Sequence, residues 1–478
     1  MKSLKKNYFF NLSNRIIQIV TPLITAPYIA RVIGAEGVGR ISYAESVMAA
    51  FMIFTQLGIS EYGKRETAYH QDDRHLRSVA FWNAYLLKLC FIPIVLLIYI
   101  LATSSSGNIL LTYFALYFLA EAFSTDWFLV GNEEFVFLSV RETVIRLIQI
   151  ACIFIFVKTE KDFLNYALIT LFAHTLNNFS AFCFVFKYVE RVSFKELNPF
   201  KGLKPSLLLF LPTVASLVYS ILDKVMLGFI GGDASQNGYY EQGFNISRVV
   251  LSILVSISTV MMPRVAYHFF RKEDKKVNEL MQSGYRYLWM LGVPISCGLA
   301  CVVSNFVPWF FGPGWDLVIT ILWIFAPLVL VMGLSNMTGA QYLIPTKREN
   351  KHTRSVAIGS LVNLILNLLL IKKYGAIGVA FASVCAEVTI MVLNFLNVRK
   401  EIDLRAVFSS SFNYLIAAAV MTVCLLISSH YLEPSIFNTV VLVFEGVVVY
   451  FAMLLFMNDS LFCTDLNATV DKLSSLRK

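Results

Sequence analysis

Apolar runs of about 20 residues recur along almost the whole chain, and no other feature constrains its fold as much. Wound as a helix, a run of that length crosses the ~30 Å of hydrocarbon in a bilayer. About fourteen are predicted, near 8–32, 41–60, 79–101, 108–128, 139–157, 163–187, 206–230, 239–262, 286–310, 317–342, 354–371, 376–397, 410–429 and 436–456. None shows the strict alternation of a barrel strand, so the expected fold class is all-α integral membrane. Composition agrees. Of 478 residues 57% are hydrophobic and only 15% charged, where a soluble domain carries about a quarter charged.

The net charge of +9 does not point to nucleic acid, because the basic residues gather in alternate connectors. Lys64, Arg65, Arg74 and Arg77 form one group, and Lys187, Arg191, Lys195, Lys201 and Lys204 the next. Arg271, Lys272, Lys275 and Lys276 follow, then Lys347, Arg348, Lys351 and Arg354, then Arg399, Lys400 and Arg405. Positive charge marks the cytoplasmic side, so the pattern predicts an even number of spans with both termini cytoplasmic. The start, with Lys2, Lys5 and Lys6 before an apolar run, is like a signal peptide. That run continues past Ala30 and contains Asn11, Asn14, Arg15 and Gln18, so it is read as a retained first span.

Chemistry that would mark an enzyme is sparse. All cysteines but Cys463 lie in apolar runs and none form a CxxC pair, which argues against a disulfide framework or zinc site. The Gln71-Asp72-Asp73-Arg74-His75 run is read as a solvated helix face, and no phosphate-binding glycine loop or HExxH is found. No metal and no cofactor is expected beyond H+ or Na+ coupling.

One internal repeat is expected. Ile33-Gly34-Ala35-Glu36 precedes Tyr43 at the spacing with which Ile230-Gly231-Gly232-Asp233 precedes Tyr240. Each block lies at the outer turn after the first helix of a half, as in transporters built from repeats.

Four stretches resemble the polysaccharide-exporter branch of the multidrug/oligosaccharidyl-lipid/polysaccharide (MOP) flippase superfamily. They are Pro27 to Gly34 with Gly37-Val38-Gly39; Asp126-Trp127-Phe128 with Gly131 and Arg141; Leu222 to Gly228 with Gly238-Tyr239-Tyr240 and Met262-Pro263-Arg264; and Asn363 to Asn367 with Lys373 to Ala380 and Glu387. The resemblance implies a MATE-like fold with two six-helix lobes, 1–203 and 204–405, followed by a terminal helix pair and cytoplasmic tail in 406–478. It also implies a flippase for an undecaprenyl-pyrophosphate-linked oligosaccharide, such as an O-antigen or capsule repeat unit, in a bacterial cytoplasmic membrane. Partners would be that lipid-linked substrate, membrane lipid, and a polysaccharide polymerase with its chain-length regulators.

Such a substrate needs fixed positive charge for phosphate and polar side chains for sugar hydroxyls. Placing arginine at mid-span costs about 2.5–3.5 kcal/mol, so a partner is expected for it. The basic residues within spans are Arg15, Lys88, Arg146, Lys224 and Arg248. Asn11 and Gln18 share a face with Arg15, Asn245 shares one with Arg248, and Ser220 lies on the stripe that ends at Asp223. Of the acids within spans, Glu45 and Asp223 are the leading ion-coupling candidates; Glu445 is read as structural. His174 is read as a packing residue, and Asn363 with Asn367 as glue between helices. Two alternatives remain: a drug or cation antiporter, which would want an acidic cavity, and a membrane glycan polymerase, which would want titratable groups on an external loop.

Overall fold

Backbone amides in hydrocarbon have no water to bond, so each crossing must close its own hydrogen bonds. The computed structural model describes residues 4–259 and 261–464, with the side chains of 17, 21–210, 221–256 and 261–464. Among the described residues every regular element is a helix. Eight of these helices are long and apolar enough to cross a membrane, and the chain is a multi-pass membrane protein. It divides into two units, Met1–Gly238 and Tyr239–Lys478.

The first unit opens on α1 (Leu4–Gln56), α2 (Ile59–Tyr69) and α3 (Arg74–Thr103). Three short helices follow, α4 (Ile109–Phe114), α5 (Leu116–Glu121) and α6 (Asp126–Gly131). It closes with α7 (Phe135–Phe156), α8 (Phe163–Val185), α9 (Leu203–Gly231) and the first turn of α10 (Ala234–Thr259). The expected lobe boundary at 203/204 falls at the start of α9, which packs against α1 and α2 in this unit. Phe81 anchors the core, stacked on Tyr85 and Trp127 with Phe128 edge-on, and all four rings are buried.

Although α1 is continuous in hydrogen bonding, it is two helices end to end. Gly34 sits at φ 67° and ψ 177°, backbone that a residue with a Cβ rarely adopts. The break falls in the turn expected after the first apolar run. Gly232, at φ 73°, ends α9 in the matching turn of the second repeat block.

Just past these two turns the chain crosses itself at close range. Ala35 and Gly39 on α1 meet Ala234 and Gly238 on α10, each a pair of small residues one turn apart. A Cβ on Gly39 would overlap the Ala234 carbonyl oxygen, and one on Gly238 would overlap that of Ala35. In lipid, where apolar burial drives little association, such small-residue crossings hold helices together by close packing. Gly39→Val is expected to cost about 1–3 kcal/mol through overpacking. A lower melting temperature in detergent would register this, and an unchanged one would show that the crossing carries no stability.

The second unit contains the rest of α10, then α11 (Met261–Phe270), α12 (Asp274–Phe311), α13 (Asp316–Thr338), α14 (Glu349–Val398), α15 (Leu404–Ser409), α16 (Phe412–Tyr431) and α17 (Ile436–Phe456). Gly375, at φ 53° and ψ −131°, breaks α14 in the connector expected between two runs. Asn363 and Asn367 are buried on α14, with the Asn367 amide donating to Asn363 Oδ1 at 3.1 Å. The terminal helices α16 and α17 dock on α12 through Asn305, whose amide donates to the carbonyls of Leu432 and Glu433 while its oxygen accepts from Thr439. Ser428 donates to Glu445 at 2.7 Å and ties α16 to α17. Outward faces are apolar: Val440, Phe444 and Val447 on α17 are exposed at helical spacing.

Between α11 and α12 lies the connector carboxylate Glu273. It pairs with His268 at 2.6 Å and Lys276 at 3.2 Å, hydrogen bonds that hold its carboxyl below the usual range. A carboxyl held low in the folded chain stabilises it fully above the unfolded-state pKa, and that stabilisation is lost as pH falls through the folded value. His268→Ala is therefore expected to lower the melting temperature slightly at neutral pH and to leave it unchanged in acid. A deficit that persists in acid would contradict this account.

Candidate functional site

The apolar run expected as a span at 108–128 is long and apolar enough to cross as Ile109–Gly131, with its helical hydrogen bonding interrupted so that it divides into α4, α5 and α6. A helix that ends within an apolar layer strands its last carbonyls, and each stranded group must find a donor. Lys88 on α3 supplies it. Its ammonium donates to the carbonyls of Glu121 at 2.7 Å and Ser124 at 2.5 Å, with Glu121 Oε1 at 3.5 Å. A cation at this position also complements the negative end of the helix dipole. Only 1% of Lys88 is exposed.

Around this cation the first unit assembles a polar centre. Gln56 at the end of α1 donates to Glu121 Oε1 at 3.2 Å. Asn178 on α8 donates to the Ala120 carbonyl at 3.2 Å and lies 3.1 Å from His174 Nε2. The Tyr117 ring is 5.2 Å from the His174 ring, and its hydroxyl donates to Thr170 at 3.3 Å. One turn beyond, Arg141 grips Asp126 through two parallel bonds of 2.9 and 2.8 Å, which fix α6 to α7. Beside the centre opens a cavity of about 480 Å³ whose wall includes Met48, Met52, Gln56, Tyr117, Glu121 and His174. Apolar walls with a few convergent polar groups suit a ligand that is part apolar and part polar. Broken helices that meet at mid-depth are where transporters place such sites.

Two of the expected cations have partners within the chain. Lys88 is buried, and carbonyls together with the Glu121 carboxylate take up its donors. Arg146 is paired with Glu142 one turn earlier on α7, at 2.9 Å, so the helix presents a neutralised pair in place of a bare cation. The other candidates stand as follows. The side chains of Asn11, Arg15, Gln18 and Ser220 lie outside the described residues. Arg248 is exposed, with its guanidinium 5.8 Å from the Phe244 ring centre, and Asn245 on the same face donates to Glu241 at 2.9 Å. Asp223 is buried while Lys224 and Glu45 are half-buried, and each of the three is engaged. Glu121 escaped the sequence reading. Its signal was present: an acid within an apolar run, to be matched with the lysine buried in the preceding one.

Residues 4–268 match the family described as polysaccharide biosynthesis protein. The "Putative O-antigen transporter" of Escherichia coli (strain K12) is 24% identical over 84% of this chain and 97% of its own length. Among solved structures, the lipid II flippase MurJ in an inward closed conformation superposes with a TM-score of 0.66 at 17% identity, covering 95% of this chain and all of that one. An inward-facing multidrug resistance MATE family transporter of the MOP superfamily gives 0.57 at 13% identity, over 82% of this chain and 99% of its own. The fold is thus the MurJ and MATE fold, as the motifs implied, and more than half of the sequence fits one family. The chain belongs to the polysaccharide biosynthesis protein family.

Proposed function

We propose that the protein is a flippase that carries an undecaprenyl-pyrophosphate-linked oligosaccharide across the bacterial cytoplasmic membrane by alternating access, and not an enzyme. The observation that carries this reading is membership of a polysaccharide-biosynthesis family in a chain built of apolar membrane-crossing helices. A lipid-linked sugar is made on one face of a membrane and used on the other, and a protein of this build is suited to moving it. The O-antigen transporter that the chain resembles over most of its length supports the same substrate class.

In this reading Arg15, Lys224 and Arg248 are the cations offered to the pyrophosphate, and the polyprenyl tail stays in lipid. Arg248 suits the role because its guanidinium is exposed and has no carboxylate partner among the described residues. Arginine keeps its charge and offers phosphate a planar fork of donors. Glu45, Asp223 and, added by the structure, Glu121 are the carboxylates to which a coupling proton or Na+ would bind. The membrane potential contributes about 2.3 kcal/mol per charge per 100 mV.

Reconstitution of the purified protein into vesicles tests the reading. Lipid-linked oligosaccharide loaded in the inner leaflet is expected to become accessible to an external glycosidase only with the protein present. Failure to move it, together with export of a lipophilic cation by the same vesicles, would transfer the protein to the antiporter class.

A further inference from the structure

A second cavity, of about 400 Å³, lies in the first unit at the end carrying the Gly34 and Gly232 turns, away from the Lys88 centre. Arg40, Tyr43, Asn108, Phe163, Gly228 and Asn237 are on its wall. Asn237 is fully buried, yet neither its amide nitrogen nor its oxygen has a hydrogen-bond partner. A buried amide bonded to nothing is costly, on the order of 1–3 kcal/mol for each orphaned group, so it is kept where a partner visits. Gly228 makes room for it: a Cβ there would overlap the Tyr43 ring and come within 2.7 Å of the Asn237 nitrogen.

We propose that this cavity is a carbohydrate subsite, in which Asn237 bonds sugar hydroxyls while Tyr43 and Phe163 pack against the apolar face of the ring. Charge selects for a neutral glycan over a phosphate. Among the described residues Arg40 is the one cation on the wall, and Glu36 neutralises it at 2.5 Å while its guanidinium lies over Phe163. The side-chain amide has donors and an acceptor together, which is what a hydroxyl needs. The volume falls within the range of about 300–1,000 Å³ typical of small-ligand sites. The charge bias of the connectors puts this end outside, so the subsite holds the sugar on the side where it is released. The inference rests on the flippase reading for the source of the sugar.

The probe is the free oligosaccharide liberated by mild acid from the host's lipid-linked pool and reduced with borohydride, with binding to the purified full chain followed by saturation-transfer NMR and fluorescence titration. Saturable transfer to ring protons is expected with the wild type, at least tenfold weaker binding with Asn237→Leu, and severalfold weaker binding with Tyr43→Leu, which removes the stacking ring. Should Asn237→Leu fail to fold, Tyr43→Leu decides. Inorganic pyrophosphate in excess is expected to leave the sugar bound. Wild-type binding in both variants, displacement by pyrophosphate, or no saturable transfer at all would overturn the subsite. Vesicle flipping separates the two readings: a wild type that binds the free sugar but flips no lipid-linked oligosaccharide defeats the flippase reading alone. One that flips normally while neither substitution alters sugar binding defeats the subsite alone.

Discussion

Lys88→Met is expected to destabilise the protein by about 3–5 kcal/mol, the cost of breaking a buried ion pair from one side. The Glu121 carboxylate would be left buried with, among the described residues, the Gln56 amide opposite it, and the Ser124 carbonyl would lose its donor while that of Glu121 keeps the Ser124 amide. Lys88→Arg would not rescue, because the planar guanidinium cannot aim three donors at the points that one ammonium serves. The pairing itself is isolated by a double-mutant cycle. Adding Glu121→Gln to Lys88→Met removes the orphaned charge but not the orphaned Ser124 carbonyl, so part of the loss returns and part does not. Melting in detergent is the measurement. If the double variant is no more stable than Lys88→Met, the carboxylate contributes nothing to holding the lysine and the pair is only a near approach.

How much of this was readable in the sequence depends on what kind of information each feature uses. Glycine breaks are local, because a hydrophobic run that ends at Gly34 or Gly375 with small residues beyond it can be seen in one dimension, and both turned out to have positive φ. The polar centre is not local. Its members come from residues 56, 88, 117, 121, 174 and 178, on four helices, and only the fold brings them together. A basic residue in a span reads the same from sequence whether it meets substrate or caps a broken helix. Lys88 proved to be paired with a carboxylate in the interior and Arg146 with one on its own half-buried helix face, whereas Arg248 is exposed. The span at 109–131 was readable from its apolar content, but the interruption between α5 and α6 was not, because the lysine that bonds the Ser124 carbonyl there sits on α3.

Arg248→Ala and Arg15→Ala, each made alone, are expected to reduce surface glycan by tenfold to more than a hundredfold. A hydrogen bond to a charged group is worth about 1.5–3 kcal/mol, and each 1.4 kcal/mol is a factor of ten. Stability should hardly change in Arg248→Ala, since the side chain is exposed and its contact is with the Phe244 ring. Surface substitutions away from buried networks usually stay within about 0.5 kcal/mol. Arg248→Lys should recover only part of the export, because an ammonium keeps the charge and loses the fork. Glycan display on whole cells, normalised to the amount of protein in the membrane fraction, reads the result. The pattern separates two physical causes that sequence alone leaves mixed. If export falls with charge while melting temperature holds, the arginines act on an anionic headgroup. If export and melting temperature fall together, as they should for Lys88, the cation is holding helices, and the phosphate contacts of this flippase must be sought on other residues.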